Sequence, residues 1–227
     1  MKETDYYRKF QALLIRQDIP INILTQMVTE LATRFGKYLH RITVNPTQVN
    51  EVTSLVPTDQ ISLGTVVGYP LGNLPQEVKA MQIKTARESG ANHVDIVFPI
   101  EYLLDQQPHK AETEISELTA LCQEQRLSAA WVANLDFLDS ERKKQAVDMI
   151  AQVGTTLVTN SGFNNQTTPQ DLLELKNNNN TIPVTVCGEI DSAEQAIALI
   201  EGGADWVASH NATTLLAGLE TLLSYVE

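Results

Sequence analysis

Asp95 stands in the middle of an apolar run, His93-Val94-Asp95-Ile96-Val97-Phe98-Pro99. A carboxylate in such a setting has to be hydrogen-bonded, paired or protonated, because burial removes its water. Groups held that way have the shifted pKa values that proton-transfer chemistry uses. A second stretch, Thr155-Thr156-Leu157-Val158-Thr159-Asn160-Ser161-Gly162-Phe163, opens from β-branched residues into small polar ones and a glycine. That is the pattern of a buried parallel strand delivering polar groups to the mouth of a sheet. Other apolar runs end in Asp18, Asn45, Tyr69, Asn134, Asp136, Thr185, Cys187, Glu189, Ser209, His210 and Asn211. Any one of these alone reads as a satisfied polar residue at a strand end. As a set, Asp95, Glu189, Asp136 and His210 have the chemistry to hold a divalent metal against an enolate, although their spacing fits no ligand motif. Cys187 has the chemistry of a nucleophile, weighed against the usual fate of a cysteine in an apolar strand, which is core.

These residues need a frame that brings distant strand ends together. Tyr7, Phe10, Leu13 and Leu14 fall at helical spacing behind Thr4, which predicts an N-terminal helix, and the run 14–18 predicts a short first strand. After Pro20 a helix carries Leu24, Met27, Val28 and Leu31 on one face. Strands follow over 41–45, 61–69, 93–99, 127–134, the 155–163 stretch, 183–188 and 204–209, each succeeded by a helical pattern. Ser192 is a cap for the helix with Ala196, Leu199 and Ile200, and Gly202-Gly203 stops it. The 168–176 stretch predicts another helix and the Asn177 to Asn180 run a turn. Eight strand-helix units without a linker predict an α/β protein, a single (β/α)8 TIM barrel with an extra N-terminal helix, one domain over residues 1–227. An open doubly wound sheet is the competing arrangement, but no glycine-rich phosphate turn follows any strand.

Composition narrows the partners. With 227 residues and 43% hydrophobic content the chain can bury one sizeable core. A formal net charge of -12 opposes a nucleic-acid or anionic-membrane partner. No apolar run approaches the roughly 20 residues of a membrane span, and the first residues lack the shape of a signal peptide, so a cytoplasmic location is expected. Two cysteines, Cys122 and Cys187, suggest neither a disulfide framework nor a metal motif.

Four segments carry a resemblance: Val94-Asp95-Ile96-Val97-Phe98-Pro99, Gly68-Tyr69-Pro70-Leu71-Gly72-Asn73, Thr159-Asn160-Ser161-Gly162-Phe163 and Gly202-Gly203-Ala204-Asp205-Trp206. In order and spacing they resemble the deoxyribose-phosphate aldolase family, over nearly the whole chain. The resemblance implies a cytoplasmic (β/α) barrel, often oligomeric and here expected as a homodimer. It also implies cleavage of 2-deoxyribose 5-phosphate to glyceraldehyde 3-phosphate and acetaldehyde through a lysine Schiff base, with no metal or other cofactor. Asp95 matches the family's catalytic aspartate, and Asp18 is aligned with another acid of its proton network. The lysines are missing. Val158 stands at the Schiff-base position, Thr185 at that of the second lysine, which lowers the first one's pKa by like-charge repulsion, and Ala130 at a third. Lys2, Lys9, Lys37, Lys79, Lys84, Lys110, Lys143, Lys144 and Lys176 all read as helix-face, turn or tail residues.

The family's phosphate pocket uses backbone donors after the last two strands. Thr159, Asn160, Ser161, Gly162 and Gly188 keep that pattern, while Glu189 replaces a glycine and His210 and Asn211 replace serines. Like charges about 4 Å apart repel by about 1 kcal/mol in water and more in a dry cleft, so Glu189 opposes phosphate. His210 offsets this only when protonated. The expected protein is thus a barrel degenerate for imine chemistry, a pseudoenzyme that keeps a pocket for a small neutral or cationic ligand. Two alternatives stand beside it: a lyase acting on a small aldehyde or sugar with Asp95 as acid and base, metal-assisted or not, and an ordinary aldolase on 2-deoxyribose 5-phosphate through an unaligned lysine.

Overall fold

The computed structural model describes residues 2–159, 172, 182–188 and 190–225. Eight parallel strands close into a barrel in chain order. They are β1 Phe10–Leu14, β2 Leu39–Val44, β3 Ser62–Val67, β4 His93–Val97, β5 Ser128–Ala133, β6 Thr156–Thr159, β7 Val184–Gly188 and β8 Trp206–Ser209, with β8 returning to pair with β1. The expected α/β barrel is therefore the observed one. Helices α1 Ile21–Arg34, α2 Val49–Val52, α3 Gln76–Glu88, α4 Ile100–Leu104, α5 Pro108–Glu124, α6 Ser140–Gln152, α7 Ala193–Glu201 and α8 Ala212–Ser224 lie among the connections. The predicted helix and turn at 168–180 lie outside the described residues, apart from Leu172, which is buried.

The N-terminus differs from expectation. Only Glu3–Tyr6 is helical, a single 3-10 turn, and Phe10–Leu14 is the first strand rather than 14–18. The reason is that β1 is buried on both faces along its whole length and, unlike the equally buried β4 between Gly90 and Pro99, has no glycine or proline at its ends and no β-branched residue within it. An apolar run with no exposed side loses the period-2 signature, and its aromatic and leucine residues then fit a helical spacing by coincidence.

Capping explains where several helices start. The Ser192 hydroxyl accepts from the Gln195 amide at 3.2 Å while the Gln195 side chain reaches back to the Ser192 amide, a capping box that opens α7. The Asp139 carboxylate accepts from the Arg142 amide at 2.9 Å and opens α6.

Two cores result. The larger lies between the outward strand faces and the helices and holds Leu39, Ile42, Leu63, Val94, Ile96, Trp131, Leu157 and Val184. The smaller, Leu13, Val97, Ala130, Val132, Val158, Cys187 and Ala208, lines the barrel interior. One reading of the lysines changes. Lys79 on α3 is fully buried and its Nζ lies 2.6 Å from Glu114 on α5, an ion pair between helices outside the barrel wall. Burial raises the Glu114 pKa, against the pull of Lys79.

Candidate functional site

The Asp95 side chain enters the barrel from the middle of β4 and is 4% exposed. Its Oδ1 lies 3.1 Å from Arg41 Nη2 and 3.0 Å from His93 Nε2, and Thr43 Oγ1 donates to Oδ2 at 3.4 Å. Arg41 Nη2 also donates to Gln11 Oε1 at 2.6 Å, and Gln11 Nε2 donates to Thr185 Oγ1 at 3.2 Å. Four strands, β1, β2, β4 and β7, thus contribute to one buried polar chain, with a guanidinium at its centre. Alternation along β2 forces this: Ile42 and Val44 pack in the outer core, so Arg41 and Thr43 face inward.

Gly64 on β3 makes the room. A Cβ there would lie 2.9 Å from Thr43 Oγ1 and 3.0 Å from Arg41 Cδ. One guanidinium nitrogen, Nε, has no hydrogen-bond partner.

His93 is fixed by its other side. Ser128 Oγ lies 3.1 Å from the Asn92 carbonyl, to which its hydroxyl donates, and 2.8 Å from His93 Nδ1. With that hydroxyl hydrogen committed, Nδ1 carries the ring proton, and Nε2 is left to accept from Arg41 Nη1. Burial, then the Arg41 charge, lowers the His93 pKa to about 4, so the ring is neutral near pH 7. The approach of Nε2 to Asp95 becomes a hydrogen bond only on protonation. Burial pushes the Asp95 carboxyl upward, but Arg41 foremost, with His93 and Thr43, outweighs it, and its pKa lies below the usual carboxylate range.

Both groups have folded-state pKa values below their unfolded ones. The stability they contribute is complete above about pH 6.5 and is lost as pH falls through the folded values. At about 1.4 kcal/mol per pKa unit, His93 alone predicts a loss on the order of 3 kcal/mol between pH 6.5 and 4. Urea unfolding across that range is the check, with His93→Gln expected to flatten the profile; a wild-type curve that stays level from pH 7 to 4 would contradict the arrangement.

The two positions of the absent lysines are neighbours in the barrel. Val158 on β6 is in register with Thr185 on β7. Val158 packs in the interior cluster with Ala130 and Cys187, and Thr185 is wholly buried at the end of the Gln11 chain. Asp95 is in register with Ala130 on β5. Among the described residues the only charged nitrogen within ion-pair distance of Asp95, apart from a protonated His93, is that of Arg41, and no lysine reaches it.

Asp18 is not part of the group. It is solvent-exposed and pairs with Arg16 at 2.6 Å, which lowers its pKa, while the β1 residue that enters the polar chain is Gln11. Asp136 sits exposed in the Leu135–Phe137 turn, away from the buried Asp95. Among the described residues no three His, Cys, Asp or Glu side chains converge as a metal site requires. Burial, then Asp95, pushes the Cys187 thiol up to about 12, so it stays protonated and is a poor nucleophile.

At the strand ends, Thr159 is buried and Gly188 half-buried, whereas Asn160, Ser161, Gly162 and Glu189 lie outside the described residues. Ser209 Oγ donates to the Ile190 carbonyl at 2.8 Å and accepts from the Asn211 amide at 2.9 Å. That amide belongs to the α8 N-terminus, so one anion-facing donor is already used. His210 Nδ1 donates to the Leu13 carbonyl at 3.1 Å, and burial lowers the ring's pKa, which keeps it neutral. Asp191 is the acid that the sequence reading missed: its Oδ1 accepts from Asn211 Nδ2 at 2.6 Å, which places a carboxylate at the start of α8. Its position one residue before the Ser192 cap was the available signal. Likewise Arg41 and His93 were visible as polar residues in apolar strands, the same signal that marked Asp95.

No family model matches the chain. Curated proteins do. A deoxyribose-phosphate aldolase of Dictyoglomus turgidum is 27% identical over 222 residues, 96% of this chain and 99% of that protein. One from Thermococcus kodakarensis is 28% identical over 192 residues, 82% of this chain and 85% of its own length. Among solved structures, one described as an aldolase superposes with a TM-score of 0.87 over the whole of both chains at 22% identity. The tetrameric deoxyribose phosphate aldolase from Aeropyrum pernix does so at 0.85, also at 22% identity, over 96% of this chain and 92% of that one. The fold defines a closed (β/α)8 barrel. Along nearly its entire length the chain is similar to curated deoxyribose-phosphate aldolases. Among the described residues no helix is long and apolar enough to cross a membrane.

Proposed function

We propose that this barrel is a deoxyribose-phosphate-aldolase relative that has given up imine chemistry and keeps a small-molecule pocket at its mouth. The observation that carries the reading is the Arg41–Asp95 pair. In the family the resemblance implies, the aspartate works beside a lysine amine; here its cation is a buried guanidinium at 3.1 Å. A guanidinium remains protonated at all ordinary pH values and has no free lone pair to attack a carbonyl. Val158 and Thr185 supply no amine, and Cys187 is held as a thiol. Asp191 at the α8 N-terminus and the neutral His210 both disfavour a phosphate there, which supports a neutral or cationic ligand in place of a sugar phosphate. The same reading takes the protein as cytoplasmic and as a homodimer.

Borohydride trapping tests it. Protein incubated with acetaldehyde or 2-deoxyribose 5-phosphate, reduced and digested, is expected to show no peptide at the barrel mouth carrying a reduced adduct, and no cleavage of the sugar phosphate. A single lysine trapped stoichiometrically, with turnover, would overturn the proposal.

A further inference from the structure

The flank of α3 is unusually apolar for an exposed helix face. Leu74 precedes the helix, and Val78 and Met81 follow at helical spacing, 41% and 68% exposed, with Leu71 (53%) just before them. The opposite side of α3, Lys79, Ile83 and Ala86, is the buried one. The stripe is bare for a structural reason. α3 packs on β3 and α5, but the connection between β2 and β3 is three single turns over 46–55 rather than a full helix. A run of apolar side chains left open in this way marks an interaction surface.

Charge identifies the occupant. The exposed ionic residues of α3 are Glu77, Lys84, Arg87 and Glu88, two acids and two bases, in a chain whose formal net charge is -12. Self-association meets repulsion over most of such a surface, and α3 is a neutral stretch of it. Among the described residues none of these four side chains makes an ion pair within the chain. Glu77 and Lys84 stand seven residues apart, two turns along the helix, with Met81 between them. Two α3 helices laid antiparallel across a twofold axis near Met81 bring Glu77 of one against Lys84 of the partner subunit, and the reverse, while Val78 and Met81 pack across the axis. Self-complementarity of this kind is what an isologous interface needs.

We propose that the α3 stripe Leu71, Leu74, Val78 and Met81 is the contact between two copies of this chain, registered by reciprocal Glu77–Lys84 pairs. It rests on the reading of the protein as self-associating, and the test separates the two. By sedimentation velocity over a concentration series, the wild type is expected to dimerise, and Met81→Glu to sediment as a folded monomer with an unchanged far-ultraviolet spectrum. Lys84→Glu is expected to weaken the dimer about tenfold or more by opposing Glu77, and Glu77→Lys combined with Lys84→Glu to restore it. The exchange of charges alters only exposed side chains and serves as the second readout if Met81→Glu fails to fold. A wild type monomeric at every concentration overturns both self-association and the surface. An oligomer indifferent to Met81→Glu, or a charge exchange that restores nothing, overturns the α3 surface alone.

Discussion

Arg41→Met is expected to destabilise the protein by about 3 to 5 kcal/mol at pH 7, the usual cost of stranding a buried charge. The substitution keeps most of the side-chain volume and leaves Asp95, 4% exposed, without its cation. The carboxyl then has to take up a proton to remain inside, so its pKa rises through neutrality where the wild-type value lies below the usual range. This gives the effect a signature that a packing defect lacks. The difference between wild type and variant narrows as pH falls toward 4, because the proton that the variant's folded state must take up costs less in acid, while Asp95 of the wild type stays ionised there. The double variant Arg41→Met, Asp95→Leu is expected to recover most of the loss, since no charge is left to strand. Urea denaturation of the wild type and the two variants at two pH values is the measurement; a cost under about 1 kcal/mol for Arg41→Met would mean that the pair is better hydrated than its geometry indicates.

The second large effect is a gain. Val158→Lys puts an amine at the position where the resemblance implies one. Leu13, Ala130, Val132, Cys187 and Ala208 surround that position, and such surroundings penalise the ammonium form. A lysine with its pKa pulled down in this way is the free base at neutral pH and attacks aldehydes. With acetaldehyde and borohydride the variant is expected to gain the mass of one ethyl group on the peptide that contains position 158, where the wild type gains none. Absence of that adduct in a folded variant would mean that position 158 is closed to small aldehydes, and the proposed pocket would have to lie elsewhere.

The barrel itself was legible because its strands and helices differ in period and in their punctuation by glycine and proline, and seven of the eight strands fall where alternation placed them. β1 was misplaced since it combines burial on both faces with the lack of the glycine and proline that bound the equally buried β4. Asp95 was legible as an acid inside an apolar run, but its partner was not, because register, not sequence distance, sets 41 beside 95: β2 and β4 are separated by β3, whose Gly64 lets the side chains meet across it. Lys79 failed in the opposite direction. A lysine among helical polar residues reads as solvated, and only the packing of α3 on α5 shows it buried against Glu114. Asp18 carried the right residue type on the wrong side of a strand end, while Gln11 held the inward place.

Gly64 has a further consequence. Since its missing side chain is the seat of the Arg41 stem, the two positions form a lock and key within one molecule: enlarging the first evicts the second, and Asp95 with it loses its counter-ion. A lineage that gained or lost this arginine would have to fill or clear the seat in step, so any ancestor that changed only one of the two positions would have carried either a hole or a collision inside the barrel.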